Sequence, residues 1–190
     1  MFFGNKPAVC FPSRKFIGYP AENQIRFNCY LHNANHTLMQ TTIQHLDKLI
    51  GIYSKRLEAL TDETFGYKPH PHKWSKKEIL GHLVDSAQNN IRRFIVAQYE
   101  DTPVIGYDQD AWVRHSNYQN YDPADLIRLW TLLNRHMCVV LGNIGPEAAQ
   151  RKCIQGTGEP QTIKWLAADY CNHLLHHLHQ ILDLEPIAYP

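Results

Sequence analysis

Nothing in this 190-residue chain concentrates charge of one sign. Lys and Arg number 19 against 18 Asp and Glu, for a net +1 at pH 7, and no run of basic residues exceeds two. That removes the electrostatic footprint of a nucleic-acid or anionic-membrane binder, so neither partner is expected. Long apolar runs are missing too. The stretch "MFFGNKPAVCFPSRKFIGYP" is broken by Lys6, Pro7, Pro12 and Arg14, and nothing elsewhere reaches the length of a membrane span. The five cysteines, at 10, 29, 138, 153 and 171, contain no C-x-x-C pair and are odd in number, which suggests neither a disulfide framework nor a zinc ribbon. Reduced thiols and a cytoplasmic location are the expectation. Also absent are G-x-S-x-G, a P-loop, G-x-G-x-x-G and H-E-x-x-H, and no acidic residue precedes a histidine by three, as di-iron bundles require.

What the chain has in excess is histidine, twelve in all. Histidine is a common metal ligand and can be neutral near pH 7, so placement matters more than number. Residues 1–33 show no helical or strand periodicity and read as an irregular extension, leaving 34–190 as one helical domain.

Four segments of that domain carry helical punctuation. Near 35–60, Leu38, Ile43, Leu46, Leu49, Ile50, Tyr53, Leu57 and Leu60 recur mostly at three and four, before "TDETF" interrupts. The second helix opens at "WSKKEI", where Ser75 and Glu78 form a capping box and Trp74 can close a staple on Ile79; it runs to about Tyr99. The third opens at "DPAD", with Asp122 as N-cap and Pro123 in the first turn, and ends near Leu141. The fourth starts on Thr162 and stops before Pro186. Between the second and third lies a loop of some twenty residues, "EDTPVIGYDQDAWVRHSNYQNY", long enough to be functional. With no sustained β-alternation, these segments predict an all-α four-helix bundle.

"DYCNHLLHHLHQIL" places four histidines on the fourth helix. The apolar stripe Ile163, Leu166, Tyr170 continues by threes and fours to His173 and His177. A spacing of four sets both imidazoles on one face, within reach of one ion. His176 flanks them and His179 points elsewhere. The alternative is two polar residues at a stripe's edge, because a site needs a further ligand. On the second helix, His82 sits beside the stripe Ile79, Leu80, Leu83, Val84, Ala87, Ile91 and Phe94; alone it is an ordinary boundary histidine. Bundle sites, however, are assembled from facing helices.

"HKWSKKEILGHLVDSAQNNIRRF", "TPVIGYDQDAW" and "YCNHLLHHLHQI" resemble, in that order and spacing, the DinB-like superfamily of four-helix-bundle metalloenzymes. The likeness is greatest to its YfiT-like branch of metal-dependent hydrolases and covers about residues 36–184. It implies one divalent metal held by one histidine of the second helix and two of the fourth, which here are His82, His173 and His177. Asn172 stands where that branch usually has tryptophan. The resemblance also implies a possible homodimer.

Three neutral imidazoles leave a divalent ion its charge and an open position. Activated water there points to hydrolysis of a small molecule. A low-molecular-weight thiol held there instead points to an S-transferase, and a non-catalytic metal-binding bundle is a third reading. Zinc is the default ion, with nickel or iron also suited to imidazole. Asp85 is the first candidate for a carboxylate that orients an imidazole or acts as base, and Asp110 the next. Tyr107 and Trp112 are candidates for the pocket rim. Arg92 and Arg93 could meet an anionic substrate or a neighbouring carboxylate.

Overall fold

Three of the four long helices begin on a side chain that satisfies their first free N–H groups. The Ser75 hydroxyl accepts from the Glu78 N–H while the Glu78 carboxylate accepts from the Ser75 N–H, the expected capping box. Asp122 accepts from the Asp125 N–H, and Thr162 from the Trp165 N–H. The computed structural model describes residues 37–68 and 70–189. The irregular extension read over 1–33 lies outside them, as do residues 35 and 36, where the first helix is expected to open.

Six α-helices are described: α1 Thr37–Glu58, α2 Asp62–Gly66, α3 Lys76–Val96, α4 Gln109–Ser116, α5 Pro123–Gly142 and α6 Ile163–Ile181. The four long ones, α1, α3, α5 and α6, form the expected bundle. α5 and α6 each pack against both α1 and α3, so the consecutive long helices α1 and α3 sit across a diagonal. Short connections favour antiparallel neighbours. Here the α1–α3 connection is long enough to carry α2, and it crosses to the far corner. Buried Lys77 on α3 reaches Asp62 Oδ1 at 3.1 Å, which ties α2 over the start of α3.

Two connections are more ordered than their composition suggests. "TDETF", read as an interruption, contains α2, capped by Thr61. The twenty-residue loop contains α4, capped by Asp108, and a 3-10 turn over Tyr118–Asn120. Both helices are one or two turns long, too short for periodicity to reveal, although an aspartate cap opens α4 just as one opens α5. Between α5 and α6, Lys152–Cys153 pairs antiparallel with Gln161–Thr162.

One apolar core runs through the bundle, with Leu46, Leu57, Leu80, Leu83, Leu126, Trp130, Met137, Leu166 and Leu174 fully enclosed. On α6 the core face is Ile163, Leu166, Ala167, Tyr170, Cys171, Leu174, Leu178 and Ile181. This corrects the stripe traced through His173 and His177. Leu174 and Leu178 lie one position on, and as apolar side chains they take the interior, while the two histidines are half-buried beside them. No helix among the described residues is long and apolar enough to cross a membrane.

Candidate metal centre

α3 presents His82, and the neighbouring α6 presents His173 and His177 one turn apart. His82, placed on the flank of its stripe by sequence, is in fact the most enclosed of the three, at 2% exposure. The ring centroids are 5.1 Å apart for His82 and His173, 4.9 Å for His82 and His177, and 4.6 Å for His173 and His177. Nε2 of His82 lies 3.1 Å from Nε2 of His173, and one ligand nitrogen from each residue falls within 4.8 Å of the other two. Nitrogens that share a tetrahedral ion at about 2.0–2.1 Å stand about 3.3 Å apart, so small side-chain rotations suffice for convergence.

Their protonation suits ligation. Burial pushes His82 down to about 4, and the His177 imidazole beside it pushes the same way. Burial and three neighbouring imidazoles push His173 lower still. His177 is lowered by burial, partly opposed by its bond to Gln180. All three are therefore neutral at pH 7, each with a lone pair free. The outer nitrogen of His177, Nδ1, donates to Gln180 Oε1 at 3.1 Å, which directs its Nε2 inward. Nδ1 of His173 lies 3.4 Å from Ser86 Oγ. Nδ1 of His82 is buried with no partner among the described residues.

Asp85, one turn after His82, is fully buried. Its Oδ1 accepts a 2.5 Å bond from the Tyr118 hydroxyl, and its Oδ2 is without a partner among the described residues. Burial raises its carboxyl to about 6, against the opposing effect of the Tyr118 bond. It does not touch His82 by a hydrogen bond. Two unsatisfied buried atoms, one able to donate and one able to accept, thus lie three residues apart on one helix. Tyr118 is a site residue that sequence reasoning missed. Its signal was Gly81: the tyrosine ring lies flat on α3 there, and any Cβ on Gly81 would collide with it.

The sequence pattern of the DinB superfamily matches residues 45–181, from within α1 to the last residue of α6. The chain belongs to the DinB superfamily. YfiT of Bacillus subtilis is 26% identical over 145 residues, covering 75% of this chain and 82% of its own. Its structure, described as "a probable metal-dependent hydrolase with an unusual four-helix bundle topology", superimposes with a TM-score of 0.69 at 25% identity, over 76% of this chain and 83% of that one. A Halalkalibacterium halodurans protein whose name assigns it the same inferred activity is 28% identical over 161 residues, 82% of this chain and 91% of its own. A mycothiol-dependent maleylpyruvate isomerase shares the fold, with a TM-score of 0.61 at 14% identity over 80% of this chain and 64% of that one.

In this DinB-superfamily chain a cavity of about 320 Å³ opens beside His82 and His173. Tyr107, expected at the rim, lines it, and burial raises its phenol to about 12, so it stays protonated. Trp112 does not reach the cavity lining; it packs edge-on against Tyr107, ring centroids 5.4 Å apart, and holds it from behind. Asp110 is exposed in α4 and faces a second, wider cleft of about 930 Å³ with Trp74, Gln180 and Asp183. The two clefts flank the histidines: Trp74 packs on His82 at 5.3 Å and Gln180 holds His177. Of the other histidines, His176 Nδ1 meets the Ile187 carbonyl at 2.6 Å, and His179 meets Tyr53 and the Glu185 carbonyl, away from the cluster. The segment after α6 therefore folds back along it. Its Tyr189, also missed from sequence, packs on His173 at 5.3 Å and donates to Asp169 at 2.9 Å.

Proposed function

We propose that His82, His173 and His177 hold one divalent metal ion and that the protein is a metal-dependent hydrolase acting on a small molecule. The observation that carries this reading is the convergence of three neutral imidazoles, from two helices, within 4.8 Å of one another. The donor set fits the group: three nitrogens without charge, two directed by partners on their outer atoms, and a cavity alongside for a substrate. A divalent ion so held keeps its full charge and supplies Lewis acidity able to ionise water, or a thiol, near neutral pH. Zinc is the ion proposed first, because a three-nitrogen set with an open position suits it.

Asp85 is proposed as the residue that positions His82. In that role His82 Nδ1–H donates to Asp85 Oδ2, which satisfies both orphaned atoms and fixes the tautomer with Nε2 toward the centre. Tyr118 holds the other carboxylate oxygen, so the chain Tyr118–Asp85–His82 is anchored at its far end. Tyr107, kept protonated, offers a hydroxyl donor to a polar substrate atom in the cavity.

Elemental analysis of the purified protein and its His82→Ala, His173→Ala and His177→Ala variants tests the centre. About one metal ion per chain is expected in the parent and little in the variants; equal, near-zero content in all four rejects it. A panel of esters and amides, run beside a panel of thiols with an electrophilic dye, tests the chemistry. Ester or amide cleavage lost in His177→Ala supports the hydrolase. Dye consumption that requires a thiol moves the assignment to an S-transferase, the second use of the same open position. Metal retained with neither activity, and a melting temperature that falls on chelation, marks a structural site.

A further inference from the structure

The lining of the 320 Å³ cavity includes four polar residues of α3: His82, Ser86, Asn90 and Arg93. Their spacing of four, four and three puts them along one face of the helix. Arg93 is 5% exposed. Its Nε donates to the Ile105 carbonyl at 2.9 Å and its Nη1 to Asn90 Oδ1 at 3.2 Å. A guanidinium has five N–H donors, so three are left without an acceptor among the described residues. No carboxylate among them forms an ion pair with Arg93; the three ion pairs join Lys68 to Glu78, Lys76 to Asp183 and Lys77 to Asp62. Nη2 is not among the enclosed unpaired atoms, so its N–H groups are open to the cavity, where a ligand acceptor can take the place of water.

The cavity is walled by connected backbone rather than by loose side chains. Ile105 N–H bonds the Ile154 carbonyl and Ile154 N–H bonds the Pro103 carbonyl, both at 2.9 Å. These bonds bring the two loops together glycine to glycine, since a Cβ on Gly106 would strike the Gly156 backbone. Among the described residues that line it, Arg93 is the only Lys or Arg and Asp169 the only carboxylate.

We infer that this cavity is a carboxylate-recognition subsite: Arg93 grips a carboxylate of the substrate with its idle N–H groups, while the bond to be cleaved lies at the histidine end. The inference rests on the hydrolase reading and names its substrate class. One arginine beside one aspartate suits a singly charged carboxylate better than a phosphate dianion, and the guanidinium fork matches carboxylate geometry. Residues 82 and 93 are eleven positions apart on one helix, about 16 Å along its axis, and Arg93 leans back toward the N-terminus. The carboxylate and the reacting bond are therefore several atoms apart, as in a monoester of glutarate or adipate.

The test titrates glutarate, its neutral isostere glutaramide and inorganic phosphate calorimetrically into the metal-loaded parent, Arg93→Gln and Arg93→Lys. Metal content and thermal melting are measured on the same samples. Expected are glutarate binding in the parent, about tenfold or more weaker in Arg93→Gln, partly kept in Arg93→Lys, and poor binding of glutaramide throughout, with metal content unchanged. Glutarate bound equally by parent and Arg93→Gln overturns the inference, and so does phosphate bound more tightly than glutarate. If Arg93→Gln fails to fold, the parent decides alone: no preference for glutarate over glutaramide overturns the subsite. Glutarate binding through Arg93 without any ester or amide cleavage leaves the subsite standing and removes the hydrolase. Cleavage with indifferent Arg93→Gln binding does the reverse.

Discussion

α3 and α5 are neighbours of nearly equal length, 21 and 20 residues, and both are amphipathic, yet they bury different things. α5 puts Leu126, Ile127, Trp130, Met137, Val140 and Leu141 inside, with only Thr131 and Asn134 as polar company. Those two are self-contained: Thr131 bonds the Ile127 carbonyl, and Asn134 bonds the Trp130 carbonyl and the Tyr170 hydroxyl. α3 buries Lys77, His82, Asp85, Ser86, Asn89, Asn90 and Arg93, and among the described residues it leaves atoms of two ionisable side chains, His82 and Asp85, unsatisfied, where α5 leaves only the uncharged Trp130 Nε1. Buried orphans lower stability. The buried polar groups of α5 serve the fold itself, whereas those of α3 are the groups we propose to serve a bound metal and substrate.

Substitutions on the two helices should therefore fail in opposite ways. The largest effect on stability belongs to α5: Trp130→Ala should cost about 3–5 kcal/mol in urea unfolding, because it empties a fully enclosed site. Metal content per folded chain should not change. If the metal is lost while the fold survives, the division between the helices is wrong.

Asp85→Asn should act the other way. Metal affinity, measured by competition with a chelating dye, should fall about 10–100-fold as the His82 tautomer is released. The metal-free variant should melt higher than the metal-free parent at pH 7, since a buried carboxylate has been neutralised. A variant that binds metal normally removes Asp85 from the centre.

Acid titration of metal-free protein sharpens the same contrast. His82 has its folded pKa depressed to about 4, so the stability tied to its neutral form is present above the ordinary value of 6.5 and is lost as pH falls toward 4. Asp85 is raised from 3.8 to about 6, so its penalty is full above 6 and relieved by protonation below it. The two slopes oppose each other between pH 6 and 4. Asp85→Asn removes the second, and its melting temperature should fall more steeply than the parent's across that window. Parallel curves would contradict the burial of Asp85.

The smallest effect is expected at Gln180→Ala, which frees the outer nitrogen of the half-buried His177 and should weaken metal binding by a few-fold at most. A loss as large as that of Asp85→Asn would mean that α6, not α3, sets the geometry.

What could be read from sequence was what is written locally. Ser75 with Glu78, Asp122 with Pro123, and Thr162 announce helix starts within four residues, and His173 and His177 are a turn apart. The α6 stripe was misassigned by one position because both His173 and Leu174 fit a period near 3.6, and only the interior's preference for leucine separates them. His82 joins the pair across 91 residues, a distance that periodicity cannot bridge, and its place came from family resemblance. Tyr118, 33 residues beyond Asp85, was legible only as a glycine inside a strong helix. Arg93 carried a helical signal in H-x-x-x-S-x-x-x-N-x-x-R, but its burial depends on loops that meet glycine to glycine far along the chain.

Tyr189 rests on His173 and lines the cavity, and the carbonyls before it are held by His176 and His179. The two histidines of α6 that stand outside the proposed ligand set thus hold the backbone that lays Tyr189 on His173, so a substitution at either reaches the cavity through the chain.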